Sequence, residues 1–437
     1  MTVDFTYRTR VQHHPGQLAK VMEAIADSGG LIGEVQTVEL TRGFSVRELT
    51  VEVRDPDSAN ELRERINSVD GVEVEWCRDR ALMLHEGGKL VVEPTRRVET
   101  VQDMRDVYTP GVARACEAIA DDPDAARRYT MIGRSVAICT NGTRVLGLGD
   151  IGPRAAMPVM EGKAVFYCQL AGISAVPVLI DAAEPDAFVE TVVRIAPTFG
   201  GIHLEDISAP ECFEIESRLI DVLDQPVMHD DVHGTAVVAL AAVLSACRRT
   251  GTELEQSTVG QLGLGAAGYG ISSLMVEAGA ARVVGFDPDE GNAERARERG
   301  VDLASEEEVL EESDVLIATT GQPDSIAPDR IRDGQVVLAL SNPEPEIDPD
   351  RALDSGAAFA ADGSMVNNVL GYPGIFRGAL MAGAPRIDSR MKLAAARVLA
   401  ELSGEDRMLP DALDREVHER VAEAVRDAAP QREGAAT

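Results

Sequence analysis

The spacing of apolar residues over the first 86 positions changes repeatedly. Residues 5–11 alternate as a strand does, and His13-His14-Pro15-Gly16 ends the run with a turn. Leu18, Val21, Met22 and Ile25 then recur at helical spacing, and Gly29-Gly30 closes that helix. Two strand-like runs follow, 31–40 and 46–53. The segment 57–69 is helical, with Ala59, Leu62, Ile66 and Val69 on one face, and 72–84 is again extended. The order is βαββαβ, which predicts an antiparallel sheet covered on one face by two helices.

From there the texture is α/β. After a charged connector, 86–99, a segment spanning about 100–235 carries most of the polar motifs. The apolar stretch 233–249 predicts a buried bridging helix, 248–257 a polar linker, and the remainder a second α/β unit. That unit ends in an amphipathic helix near 411–428 and a disordered polar tail. The predicted division is 1–86, 87–235 and 236–437. In the third part, a strand over 258–262 runs into Gly263-Leu264-Gly265-Ala266-Ala267-Gly268 and then a helix through Glu277, with a second strand, 281–286, ending at Asp287. This is a dinucleotide fingerprint in its proper context. Gly263 permits the tight turn, Gly265 lets backbone approach a pyrophosphate, Gly268 allows close helix packing, and the helix N-terminus attracts phosphate. Asp287 stands 22 residues after Gly265, where a carboxylate bonds ribose hydroxyls and repels a 2′-phosphate. The expectation is a Rossmann-type domain that takes NAD, with NADP as the alternative. Strands at 314–319 and 335–340 belong to the same sheet, and loops at Thr320-Gly321 and Ser341-Asn342-Pro343 line its cleft.

Charge narrows the partners. Asp and Glu number 74 against 42 Lys and Arg, a formal net charge of −32. That excess argues against nucleic acid or an anionic membrane surface. Only Lys20, Lys89, Lys163 and Lys392 are lysines, and so acidic and lysine-poor a chain is expected in a salt-rich, halophilic cytoplasm. The N-terminus has no apolar stretch after its charges, so no secretory signal is expected. The six cysteines (Cys77, Cys116, Cys139, Cys168, Cys212, Cys247) are scattered without metal-site or CxxC spacing, as in a reduced cytoplasmic protein.

Two acidic pairs stand where chemistry is expected. Glu205-Asp206 follows one apolar strand-like stretch, and Asp230-Asp231 follows another and opens the bridging helix. Hard carboxylate oxygens suit Mg²⁺ or Mn²⁺, although Asp230 and Asp231 would equally serve as helix caps. The longer strings decide. Tyr108-Thr109-Pro110-Gly111-Val112-Ala113, the run 142–152 (GTRVLGLGDIG), 158–164 (PVMEGKA), 204–207 (LEDI), 229–235 (HDDVHGT), Ser341-Asn342-Pro343 and Asn367-Asn368-Val369-Leu370 look like malic enzyme motifs, in that family's order. The resemblance covers about 80–425. It implies oxidative decarboxylation of malate to pyruvate with a nicotinamide cofactor and a divalent metal. Tyr108 then matches the general acid and Lys163 the general base, its pKa lowered in a buried, cation-rich site. Glu205, Asp206 and Asp231 match the metal ligands, and Asp230 stands one layer behind them. Arg144, Asn342 and Asn368 match positions that hold substrate carboxylates or the nicotinamide end of the cofactor. The first 86 residues resemble the ACT domain, a ferredoxin-like module for amino acids or similar effectors, whose ligand loop corresponds to Pro15-Gly16-Gln17-Leu18. That resemblance implies a regulatory or assembly role and a homodimer or higher homo-oligomer. Two other readings stay open: a malolactic or oxaloacetate decarboxylase on the same scaffold, and a catalytically idle amino-acid sensor.

Overall fold

The computed structural model describes residues 2–145, 147–404 and 407–430. The polar tail expected at the C-terminus falls mostly outside them. Residues 1–91 and 92–437 form separate compact units.

In the first unit β1 (Val3–Gln12), β2 (Leu31–Leu40), β3 (Phe44–Val53) and β4 (Val72–Asp79) make an antiparallel sheet in the order β2-β3-β1-β4. The helices Gln17–Ala26 and Pro56–Asn67 lay Val21, Ile25, Leu62 and Ile66 against Tyr7, Val11, Leu49 and Val51. The buried Tyr7 hydroxyl donates to the Ala59 carbonyl at 3.0 Å, which ties β1 to the second helix. Gly16 takes a φ of +83° at the start of the first helix, a conformation a side chain would strain. The expectation of extended chain to residue 84 is corrected. β4 stops at Asp79, whose side chain accepts from the Leu82 N–H at 3.0 Å and caps a short helix, Arg80–His85. The local cap overrides the strand-like composition there.

The second unit contains two parallel sheets. The smaller has β5 (Ser135–Thr140), β6 (Ser174–Leu179), β7 (Gly201–Leu204) and β8 (Val227–His229) in the order β6-β5-β7-β8. The larger has β9 (Thr258–Leu262), β10 (Arg282–Phe286), β11 (Asp302–Leu303), β12 (Val315–Ala318), β13 (Val336–Ala339) and β14 (Phe359–Asp362) in the order β11-β10-β9-β12-β13-β14. This is the doubly wound dinucleotide order, reversing direction between β9 and β12. The helix Thr235–Thr250 packs into both sheets' cores. With the turn before it, the stretch is long and apolar enough to cross a membrane, but 78% of it is buried inside the fold, as a core helix must be when apolar all round.

Candidate active site

The glycine loop takes the geometry its sequence requires. Gly263 has a φ of +80°, and a Cβ there would lie 2.6 Å from the Thr319 carbonyl oxygen. A Cβ on Gly268 would lie 1.9 Å from the Gly263 carbonyl oxygen, whereas one on Gly265 would meet nothing within 4 Å. Gly263 and Gly268 are therefore demanded by packing, and Gly265 keeps the surface open for a ligand. Leu264, Ala266 and Ala267 complete the loop at the start of the helix Ala266–Ala278. Asp287 is held from both sides, accepting from the Leu264 N–H at 2.6 Å and the Asp289 N–H at 2.8 Å. It braces the loop, and each oxygen accepts one of these bonds and has capacity for another. Across the cleft, the fully buried Glu346 accepts from the Thr320 N–H and hydroxyl and from the Ser341 hydroxyl, at 2.6, 3.0 and 2.5 Å. It clamps the loops after β12 and β13 together beside the exposed Asn342. Sequence reading passed over Glu346; its place three residues beyond Pro343, inside an acidic run, disguised it as solvated.

The same helix touches the carboxylate cluster. A Cβ on Gly270 would lie 2.0 Å from the Val232 carbonyl oxygen, so the cofactor helix presses directly on the turn 230–234. Glu205 and Asp206 follow β7, and Asp231 follows β8, at the carboxyl ends of neighbouring parallel strands. One carboxylate oxygen from each lies within 4.8 Å of the others. Asp206 reaches this position with a φ of +53°, and its N–H donates to Asp231 Oδ2 at 3.1 Å. Lys163, on the helix Gly152–Phe166, places its ammonium 2.9 Å from Glu205 Oε1 and 2.5 Å from Asp230 Oδ2. Asp230 is fully buried and also accepts from Asn368 Nδ2 at 2.7 Å. A side chain at Gly234 would collide with it, since a Cβ would lie 1.8 Å from Asp230 Oδ1. Asn368 therefore joins the dinucleotide half to the carboxylate cluster.

The electrostatics are those of a site short of positive charge. Burial, reinforced by Glu205 and Asp231, pushes the Asp206 carboxyl up to about 8. Burial pushes Glu205 up to about 8 against the pull of Lys163, and Asp230 up to about 6. The buried Asp206 Oδ2 has no hydrogen-bond partner among the described residues. Three converging hard oxygen donors, one of them unpartnered, fit a small divalent cation. The expected lowering of the Lys163 pKa is corrected: burial alone would depress it, but Asp230 and Glu205 hold the ammonium well above its usual range. The surroundings are rich in carboxylates, not in cations.

Two predicted residues stand apart from this cluster. Tyr108 caps the helix Val101–Val107, is 73% exposed, and its hydroxyl makes no hydrogen bond among the described residues. The Arg144 N–H donates to the Asp206 carbonyl at 3.1 Å, which sets its loop beside the cluster, but its side chain is exposed. Two further residues escaped sequence reading. His203 and Tyr167 are fully buried behind Glu205; a lone histidine inside an apolar strand reads as core, and only its position two residues before Glu205 hinted otherwise.

Residues 87–220 match the malic enzyme N-terminal domain family, and residues 233–325 match the NAD-binding domain of D-isomer specific 2-hydroxyacid dehydrogenases. The chain is 48% identical to NAD-dependent malic enzyme 1 of Bacillus subtilis over 417 residues, covering 95% of each protein. The chain belongs to the malic enzyme family. It is also 38% identical to the NAD-dependent malic enzyme of Geobacillus stearothermophilus, over 98% of this chain and 94% of that one. Among solved structures, the malic enzyme of Pyrococcus horikoshii matches with a TM-score of 0.74 and 37% identity, covering 79% of this chain and 88% of that one.

Proposed function

We propose that this malic enzyme oxidatively decarboxylates malate to pyruvate and CO₂, reduces NAD, and holds Mg²⁺ or Mn²⁺ on Glu205, Asp206 and Asp231. The observation that carries the proposal is the meeting of the cofactor helix with the carboxylate cluster, through Gly270 against the Val232 carbonyl and Asn368 on Asp230. The bound cation would polarise the C2 oxygen of malate and stabilise the negative charge left as CO₂ departs. The loop 263–268 would hold NAD, which would supply the acceptor for the C2 hydride, and two relatives named as NAD-dependent support that choice.

The chain's own residues supply proton control and orientation. Lys163 is the acceptor for the C2 hydroxyl proton. Its ammonium is shared between two carboxylates, so a cation held by Glu205 would weaken that support and lower its basicity toward the working range. Asp230 keeps the amine in place from behind, and Asn368 keeps Asp230 in place. Arg144 and Asn342 would hold the substrate carboxylates or the nicotinamide end of the cofactor. Tyr108 delivers a proton to C3 of enolpyruvate, which requires its exposed segment to meet a site. Residues 1–86 form the regulatory or assembly module, 87–235 the catalytic part and 236–437 the nucleotide part, in a cytoplasmic homo-oligomer. A steady-state assay with malate, NAD and Mn²⁺ tests the reaction: NADH formation abolished by chelation and by Lys163→Ala supports it, and turnover indifferent to both overturns it.

A further inference from the structure

His203 is wholly buried at the third position of β7. Strand alternation turns its side chain the same way as that of Glu205, two residues on. Its Nε2 lies 2.7 Å from Glu205 Oε2, and its Nδ1 lies 2.8 Å from the hydroxyl of the fully buried Tyr167. The ring is walled in by Tyr167, Tyr372 and Phe376, with centroids 5.7, 5.4 and 5.7 Å away. Cation binding needs Glu205 ionised, and an ionised carboxylate can only accept, so in that state Nε2 carries the hydrogen toward Glu205. Nδ1 is then the acceptor, and the Tyr167 hydroxyl donates to it. A buried polar chain of this kind is costly unless every member is satisfied, and an aromatic wall needs no polar chain to pack. We propose that Tyr167 and His203 are positioning residues for the metal carboxylate. They hold Glu205 Oε2 and leave Oε1, the oxygen 2.9 Å from Lys163, as the one offered to the cation.

The inference rests on the metal reading of Glu205, Asp206 and Asp231, and its test keeps the two apart. Mn²⁺ is titrated into the full chain and followed by the electron paramagnetic resonance of free Mn²⁺, with NADH binding measured by fluorescence and folding by thermal unfolding. Removal of a partner that orients a metal ligand costs about 10- to 100-fold in metal affinity, so H203A is expected to raise the Mn²⁺ Kd by that factor and leave NADH binding unchanged. H203Q, whose amide nitrogen can occupy the place of Nε2, is expected to recover most of that loss. Y167F removes one hydrogen bond to the far side of the ring and is expected to weaken Mn²⁺ by about 2- to 10-fold. A folded H203A with the wild-type Mn²⁺ Kd overturns the inference; where H203A does not fold, an unchanged Kd in Y167F overturns it. Equal weakening of Mn²⁺ and NADH in H203A, unrelieved in H203Q, assigns His203 to packing alone and overturns it too. Wild-type protein that binds no Mn²⁺, or E205Q that binds it normally, removes the metal site and with it this inference.

Discussion

Lys163 has two duties in the proposed mechanism: its ammonium lies against Glu205 and Asp230, and its free amine would be the proton acceptor. Lys163→Ala is expected to lower kcat by about 10²- to 10⁴-fold, the usual cost of a general base, while NADH fluorescence still reports binding; wild-type turnover at neutral pH would dismiss it. Tyr108→Phe is expected to slow pyruvate formation with cofactor binding unchanged, and an unaltered rate would remove Tyr108 from the chemistry. The raised carboxyls give a pH signature. In the unfolded chain these groups titrate near about 4, whereas Glu205 and Asp206 are pushed up to about 8 in the fold. Between those values the metal-free folded state binds more protons than the unfolded one, so its stability falls as pH rises through that window. Cation binding needs the deprotonated forms and therefore restores stability most strongly at the upper end. Thermal unfolding of chelated protein should show a Tm that declines across the window, with the decline reduced in Asp206→Asn and reversed by Mn²⁺. A Tm that ignored both the metal and the substitution would contradict the cluster's role.

Elements differ in how plainly their sequences announce them. The loop 263–268 was legible because each glycine answers a separate constraint, and the structure supplies the obstructing atoms at Gly263 and Gly268. The two helices of the N-terminal unit were legible from the period of their buried residues, Val21 and Ile25 in one, Leu62 and Ile66 in the other. The helix Arg80–His85 was not, because a single cap at Asp79 decides it and the apolar residues there resemble the end of a strand. The converging carboxylates stood out as pairs in long motifs, whereas His203, Tyr167 and Glu346 depend on contacts between distant strands and loops. Asp287→Ser is expected to lower the preference for NAD over NADP by relieving repulsion of a 2′-phosphate. The same change removes the brace on the Leu264 N–H, so affinity for both nucleotides should fall as well. An NAD to NADP ratio of kcat/KM that stays fixed would show that Asp287 only braces the loop.

For the whole molecule, the net charge of −32 sets the terms. Lowering ionic strength from molar to about 0.01 M extends the screening length from about 3 Å to about 30 Å, which lets carboxylates repel across an entire domain. Activity and Tm are expected to fall in dilute buffer and to return with KCl; full activity and an unchanged Tm in dilute buffer would reject the halophilic reading. The N-terminal unit has its own core around Tyr7, Leu49 and Ile66, so deletion of residues 1–84 is expected to leave a folded, active enzyme. An amino acid that shifts the malate dependence of the full chain should have no effect on the truncated one. A full chain that answers to no amino acid would leave the unit an assembly element, to be read from the oligomer size with and without it.

On the function proposed for this protein, Glu205, Asp206 and Asp231 serve a metal-dependent oxidation of malate coupled to loss of CO₂. The most direct measurement follows NADH, pyruvate and CO₂ together, from malate and NAD in high salt, before and after chelation and after Mn²⁺ is added back. Equal amounts of all three products, lost on chelation and recovered with Mn²⁺, are the predicted result. Lactate and CO₂ without net NADH, or products that persist in the chelated enzyme, would contradict it.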